Sequence, residues 1–83
     1  MKNQLFFYPE VKSNGRRATI AGIIDDSNNQ LRIGIAECSP KDQFTKKKGR
    51  MIAAGRAASK HALQVVELSE HPTVQFVEIA KSL

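Results

Sequence analysis

The hydrophobic period of this chain changes between Cys38 and Ser39, and that change limits the fold more than any other feature. Before it, apolar residues alternate: Leu31, Ile33 and Ile35 are separated by Arg32, Gly34 and Ala36. That is the spacing of a strand with one buried face, and it predicts a strand from Gln30 to Cys38. Leu5 to Val11 and Ala18 to Ile24 are likewise rich in β-branched and aromatic residues. Pro9 cannot donate to a ladder, so the first of these strands belongs at an edge. Between them stands Ser13-Asn14-Gly15-Arg16, and Asn-Gly tolerates the positive φ angles of a tight hairpin. Asp25-Asp26-Ser27-Asn28-Asn29 forms the second, polar turn. The three runs predict an antiparallel meander.

After Cys38 the pattern becomes helical. Ser39 stands as a helix N-cap, Pro40 at the first helical position and Asp42 in the first turn, against the positive end of the helix dipole. The helix is expected to run from Lys41 to about Lys60. Leu63 to Leu68 follows as a short strand. Ser69 to Leu83 carries Pro72 and then Val74, Val77, Ile79, Ala80 and Leu83, which fits a terminal helix, with a hairpin strand at Thr73 to Ile79 as the competing assignment. The expectation is an α+β fold in one domain spanning residues 1–83: a three-stranded meander, one long basic helix, a short strand and a C-terminal helix.

A chain of 83 residues buries only about 60% of the surface it exposes when unfolded. Cys38 is the lone cysteine, so an internal disulfide is excluded and a reducing, cytoplasmic compartment is expected. Self-association is the remaining way to enlarge the core, and a homo-oligomer is expected. The formal net charge of +5 and pI near 9.7 suit an anionic partner. No apolar run is long enough to span a membrane, and the N-terminal one is too short for a signal peptide.

The charge concentrates on the helix. Between Gln43 and Val66 stand Lys46, Lys47, Lys48, Arg50, Arg56 and Lys60 without one acid. With Phe44 at zero and about 100° per residue, Phe44, Met51, Gly55, Ala58 and Ala62 form one stripe, expected to pack on the sheet. Lys47 and Lys48 flank it. The opposite face sets Lys46 and Arg50 on one side and Arg56 and Lys60 on the other, each pair at i,i+4. Gly49, Ala53 and Ala57 lie between them, predicting a trough with a small-residue floor and cationic walls. A glycine inside a helix costs about 1 kcal/mol relative to alanine. Gly49 and Gly55 therefore point to close approach of a ligand or partner.

The stretch from Cys38 to Ala57 resembles a C-S-P-x-D-x-F-x-K-K-x-G-R-x-I-A-x-G-R pattern of small phage-encoded proteins. It is most similar to the first family of Thoeris anti-defence proteins, sponges for cyclic nucleotide signals. The resemblance implies a short antiparallel sheet before the motif and action by sequestration without catalysis. By position it implies Lys46, Lys47, Arg50 and Arg56 as phosphate contacts and Phe44 as a stacking platform. The helical wheel instead assigns Phe44 to the core.

Little else points to chemistry. His61 and His71 have no cysteine or carboxylate at metal-ligand spacing, so no metal site is expected. Cys38 reads as buried and inert, and Asp25 and Asp26 as a solvated turn. Nothing resembles a phosphate-binding loop, a catalytic triad or a zinc signature, so neither an enzyme nor a cofactor is expected. Three functions remain. The first is a sponge binding a phosphate-bearing ligand through Lys46, Lys47, Gly49, Arg50, Ala53, Arg56 and Lys60. The second is a nucleic-acid binder, or an anti-CRISPR inhibitor occupying a nucleic-acid site. The third is a helix-mediated dimerisation module.

Overall fold

A computed structural model describes residues 3–9, 17–38 and 45–83. Three strands come first: β1 (Asn3–Phe7), β2 (Arg17–Asp25) and β3 (Gln30–Cys38). Helix α1 (Lys46–Ala58), strand β4 (Gln64–Glu67) and helix α2 (Pro72–Ser82) follow. The strands form one antiparallel sheet in the order β1-β2-β3-β4. The α+β class, the meander, and the helix–strand–helix order after it are those expected from the sequence.

Boundaries differ where local chemistry intervenes. β1 ends at Phe7, before Pro9, and Glu10 and Val11 of the predicted strand lie outside the described residues. The turn between β2 and β3 closes on Asp25, whose carboxylate accepts the Asn28 amide at 3.3 Å and its side-chain Nδ2 at 2.7 Å. These bonds, the side-chain one foremost, hold the Asp25 carboxyl below its ordinary pKa. Asn29 takes the left-handed conformation (φ 53°), which asparagine tolerates. The predicted cap at Ser39, Pro40 and Asp42 lies outside the described residues. Thr45 is extended (φ −126°, ψ 130°) and stands at the N-cap of α1, so the helix begins at Lys46 rather than Lys41. It ends at Ala58, because Ser59 is again extended (φ −104°, ψ −179°). Pro72 opens α2 at its first turn, where the missing N–H costs nothing, and the alternative strand at Thr73–Ile79 does not form.

Both faces of the sheet are covered, one by each helix. The register sets Ile20 opposite Ile35, Gly22 opposite Ile33 and Ile24 opposite Leu31. On that face Phe76 and Ala80 of α2 pack against Ile20, Leu31 and Ile33. Gly22 makes room there, since a Cβ on it would lie 2.5 Å from the Phe76 ring. The other face carries Ala21, Gly34 and Ala36, and Ala53 of α1 packs on it with Phe6 and Ala54 alongside. The alternation in β3 therefore does not separate a buried face from an exposed one. Gly34 and Ala36 are buried as well as Leu31 and Ile33, and their small size is what admits a helix backbone.

Two outcomes test this packing. A Cβ at Gly34 would collide with the Ala53 carbonyl oxygen and lie 2.5 Å from the Ala57 amide nitrogen. These are backbone atoms that cannot swing aside, so Gly34→Ala should cost about 2–3 kcal/mol in urea unfolding. An unchanged midpoint would mean α1 does not sit on β3. Thr19 is buried with no hydrogen-bond partner for its hydroxyl among the described residues. Thr19→Val, nearly isosteric, should therefore raise stability by about 1 kcal/mol, because an unsatisfied buried hydroxyl is replaced by a methyl.

Candidate functional site: the basic helix and Tyr8

The sheet decides which way α1 faces, and it faces opposite to the wheel anchored on Phe44. Ala53 and Ala57 are fully buried against β3. Met51 is 67% exposed, Ile52 39% exposed, and Gly55 has open space around it. The predicted trough therefore does not exist. Ala53, placed among the ligand contacts by sequence, is a core residue, and so is Ala57. The reason is steric. Opposite α1 the sheet offers Ala21 and Gly34, a surface so flat that the helix settles closest through its own small residues. Met51 in that position would hold the two backbones apart. Phe44, the proposed stacking group, lies outside the described residues.

The two cationic walls also part company. Arg56 donates from Nη1 to the carbonyl of Ile35 at 2.8 Å. That carbonyl lies past the end of β4, which pairs only with Gln30 to Ile33. Arg56 thus supplies a donor where the neighbouring strand has run out. Lys60 lies beyond the end of α1 in an exposed turn, not on a helix wall. His61 follows in the same turn, its amide bonded to the Ser59 hydroxyl at 3.0 Å.

Lys46 and Arg50 stay together and gain a neighbour. Lys46 Nζ stands 5.0 Å from the centroid of the Tyr8 ring. Arg50 donates from Nη1 to the Tyr8 hydroxyl at 3.2 Å. Tyr8 itself is 37% exposed. It sits just past β1, on the same side of the chain as Phe6, which packs under α1. Sequence reasoning passed over Tyr8, and no local signal marks it: its role comes from a contact across 42 positions of chain.

The first turn of α1 is cationic throughout. Lys46, Lys47 and Lys48 are exposed, no acid stands there, and Thr45 makes no side-chain cap. Gly49, expected on the trough floor, is half-buried, and its amide closes the first turn onto the Thr45 carbonyl at 3.0 Å. The three amides before it have no acceptor within the helix. Amides that Thr45 does not cap, the positive helix end and three ammonium groups act in one direction among the described residues, favouring an anion.

The opposite end is neutralised from within. Arg32, a second residue that sequence reasoning did not assign, reaches across from β3. Its Nε donates to the Ala57 carbonyl and its Nη2 to the Ser59 carbonyl, both at 2.7 Å. A cation there satisfies the last carbonyls and opposes the negative helix end. Among the described residues no group of three or more His, Cys, Asp or Glu comes together as a metal site. Nor is any described helix long and apolar enough to cross a membrane.

Arg32→Met should cost about 2 kcal/mol, since it removes two charge-assisted bonds and strands two carbonyls. Arg56→Gln should cost less than about 1 kcal/mol, because its bond is exposed and easily replaced by water. Equal losses in chemical unfolding would contradict this division of roles. In comparison with known proteins, the chain matches no family model, no curated protein and no solved structure.

Proposed function

We propose that this protein is a non-enzymatic binder that takes a phosphate-bearing ligand on the N-terminal half of α1. The observation that carries this is the acid-free first turn that Thr45 leaves without a side-chain cap, with Lys46, Lys47 and Lys48 exposed and Arg50 beside Tyr8. Cations at a helix N-terminus are unfavourable by about 0.3–1 kcal/mol each. Lys47 and Lys48 are exposed, with no contact among the described residues to offset this, and a bound phosphate reverses the sign. Lys46 and Arg50 are the principal contacts, with Lys47 beside them. Arg56 and Lys60 contribute to the field around the site rather than to its walls.

The resemblance over residues 38–57 makes a cyclic nucleotide the first ligand to test, and with it a role as a phage anti-defence sponge in the host cytoplasm. An open helix face needs a second copy to enclose such a ligand, which agrees with the expected homo-oligomer. A nucleic-acid backbone, or a nucleic-acid site on a CRISPR effector, is the alternative that an open basic surface also suits. A separate observation favours helix-mediated pairing as a second reading: Met51 and Ile52 are exposed beside the open Gly55 on the outer face of α1.

Titration calorimetry with a panel of cyclic nucleotides, against duplex DNA at two salt concentrations, tests the assignment. Nucleotide binding with mild salt dependence is expected, weakened tenfold or more (about 1.4 kcal/mol) in Lys46→Gln or Arg50→Gln. Tight binding to DNA alone, falling steeply with salt, would replace the nucleotide with a nucleic acid. Light scattering of Met51→Lys addresses pairing. The variant should become smaller if α1 pairs with a second α1.

A further inference from the structure

We propose that Tyr8 is a stacking platform for an unpaired nucleobase, so that the ligand of α1 carries a base as well as a phosphate. The inference rests on the phosphate-binding assignment of α1 and narrows it. It selects a mononucleotide or a nucleic-acid single strand over a bare polyphosphate or a duplex.

The geometry around the ring is the basis. Arg50 holds Tyr8 at its hydroxyl, from the edge of the ring, at 3.2 Å. That bond fixes the phenol without occupying either face. One face is covered by the ammonium of Lys46, 5.0 Å from the centroid. The ring is 37% exposed, on a residue that has left the β1 ladder and is not needed for sheet pairing.

A lysine over an exposed ring is a weak cover. Such a cation–π contact is worth roughly two- to fivefold in an equilibrium constant. A base stacked on an aromatic side chain is worth roughly five- to a hundredfold in affinity. A base therefore displaces the lysine. The displaced ammonium does not lose a partner, because the phosphate attached to that base arrives beside it. Lys46 thus exchanges a ring for a phosphate, while Arg50 orients the platform and faces the same anion. The two groups that bracket Tyr8 are the two cations assigned to the ligand, so base and phosphate are received within one small area. A duplex keeps its bases stacked on each other and cannot use the ring.

Tyr8 is the only tyrosine and the chain has no tryptophan, so its ring protons form the one tyrosine spin system in proton NMR. The experiment titrates the full chain with inorganic tripolyphosphate, a mononucleotide triphosphate, a short single-stranded oligonucleotide and its duplex. Base-bearing, unpaired ligands should move the Tyr8 ring protons upfield. The mononucleotide should bind about tenfold more tightly than tripolyphosphate, a difference of about 1.4 kcal/mol. Tyr8→Leu should abolish that advantage and leave tripolyphosphate binding intact, whereas Tyr8→Phe, which keeps the ring, should retain most of it. Thermal melting followed by circular dichroism confirms that each variant is folded. The relative affinity of mononucleotide and oligonucleotide then distinguishes a free nucleotide from a strand as the source of the base. If tripolyphosphate and mononucleotide bind equally, or if Tyr8→Leu keeps the advantage, the platform is refuted while phosphate binding stands. If no phosphate compound binds at all, the assignment of α1 falls and the platform with it.

Discussion

The contact between Gly34 of β3 and the backbone of α1 at Ala53 and Ala57 governs the arrangement of everything on that side of the sheet. It brings two backbones together closely enough that one added methyl collides with peptide atoms. With that seat fixed, the rotation of α1 about its own axis is fixed too. Lys46 and Arg50 then meet Tyr8, Arg56 meets the β3 edge, and Met51 is left in solvent. The seat works because both partners are small. Large side chains would bury more apolar area, but the helix would stand further off and these polar contacts would not reach.

The same fact explains how much was legible from the amino-acid sequence. The bounds of strand β3 were readable to the residue from the alternation over Gln30–Cys38, although the burial of its second face was not. The order of helix, strand and helix was readable from the change of hydrophobic period and from Pro72, whereas the cap expected at Ser39, Pro40 and Asp42 lies outside the described residues. The orientation of α1 was not. A helical wheel assumes that the largest apolar residues face inward, and here Met51 and Ile52 yield to Ala53 and Ala57. Only the identity of the facing strand residues decides this, and pairing Gly34 with α1 requires the tertiary structure. The cations were found as a group, while their division into roles was hidden. Arg32 gave no sign that it would span to the end of a helix 25 positions away.

Electrostatically, the two ends of α1 are treated differently. The C-terminal end has its negative pole and its last carbonyls met internally by Arg32. Among the described residues, the N-terminal end has neither a side-chain cap from Thr45 nor an acid in its first turn, and it adds three lysines to a pole that is already positive. A helix stabilised only for its own sake would reverse that second choice. Among the described residues, one end is therefore met by a side chain of the fold and the other is not.

Arg56 illustrates a different economy. An antiparallel sheet whose last strand is shorter than its neighbour leaves a row of bare backbone groups, onto which a foreign strand can add. β4 pairs only with Gln30 to Ile33, so among the described residues the edge of β3 beyond Ile33 has no strand partner. A guanidinium sits across it, bonded to Ile35. The arginine that the sequence suggested as a ligand contact is, in place, a charged guard on an open seam. It makes that stretch of β3 a poorer template for intermolecular β-pairing.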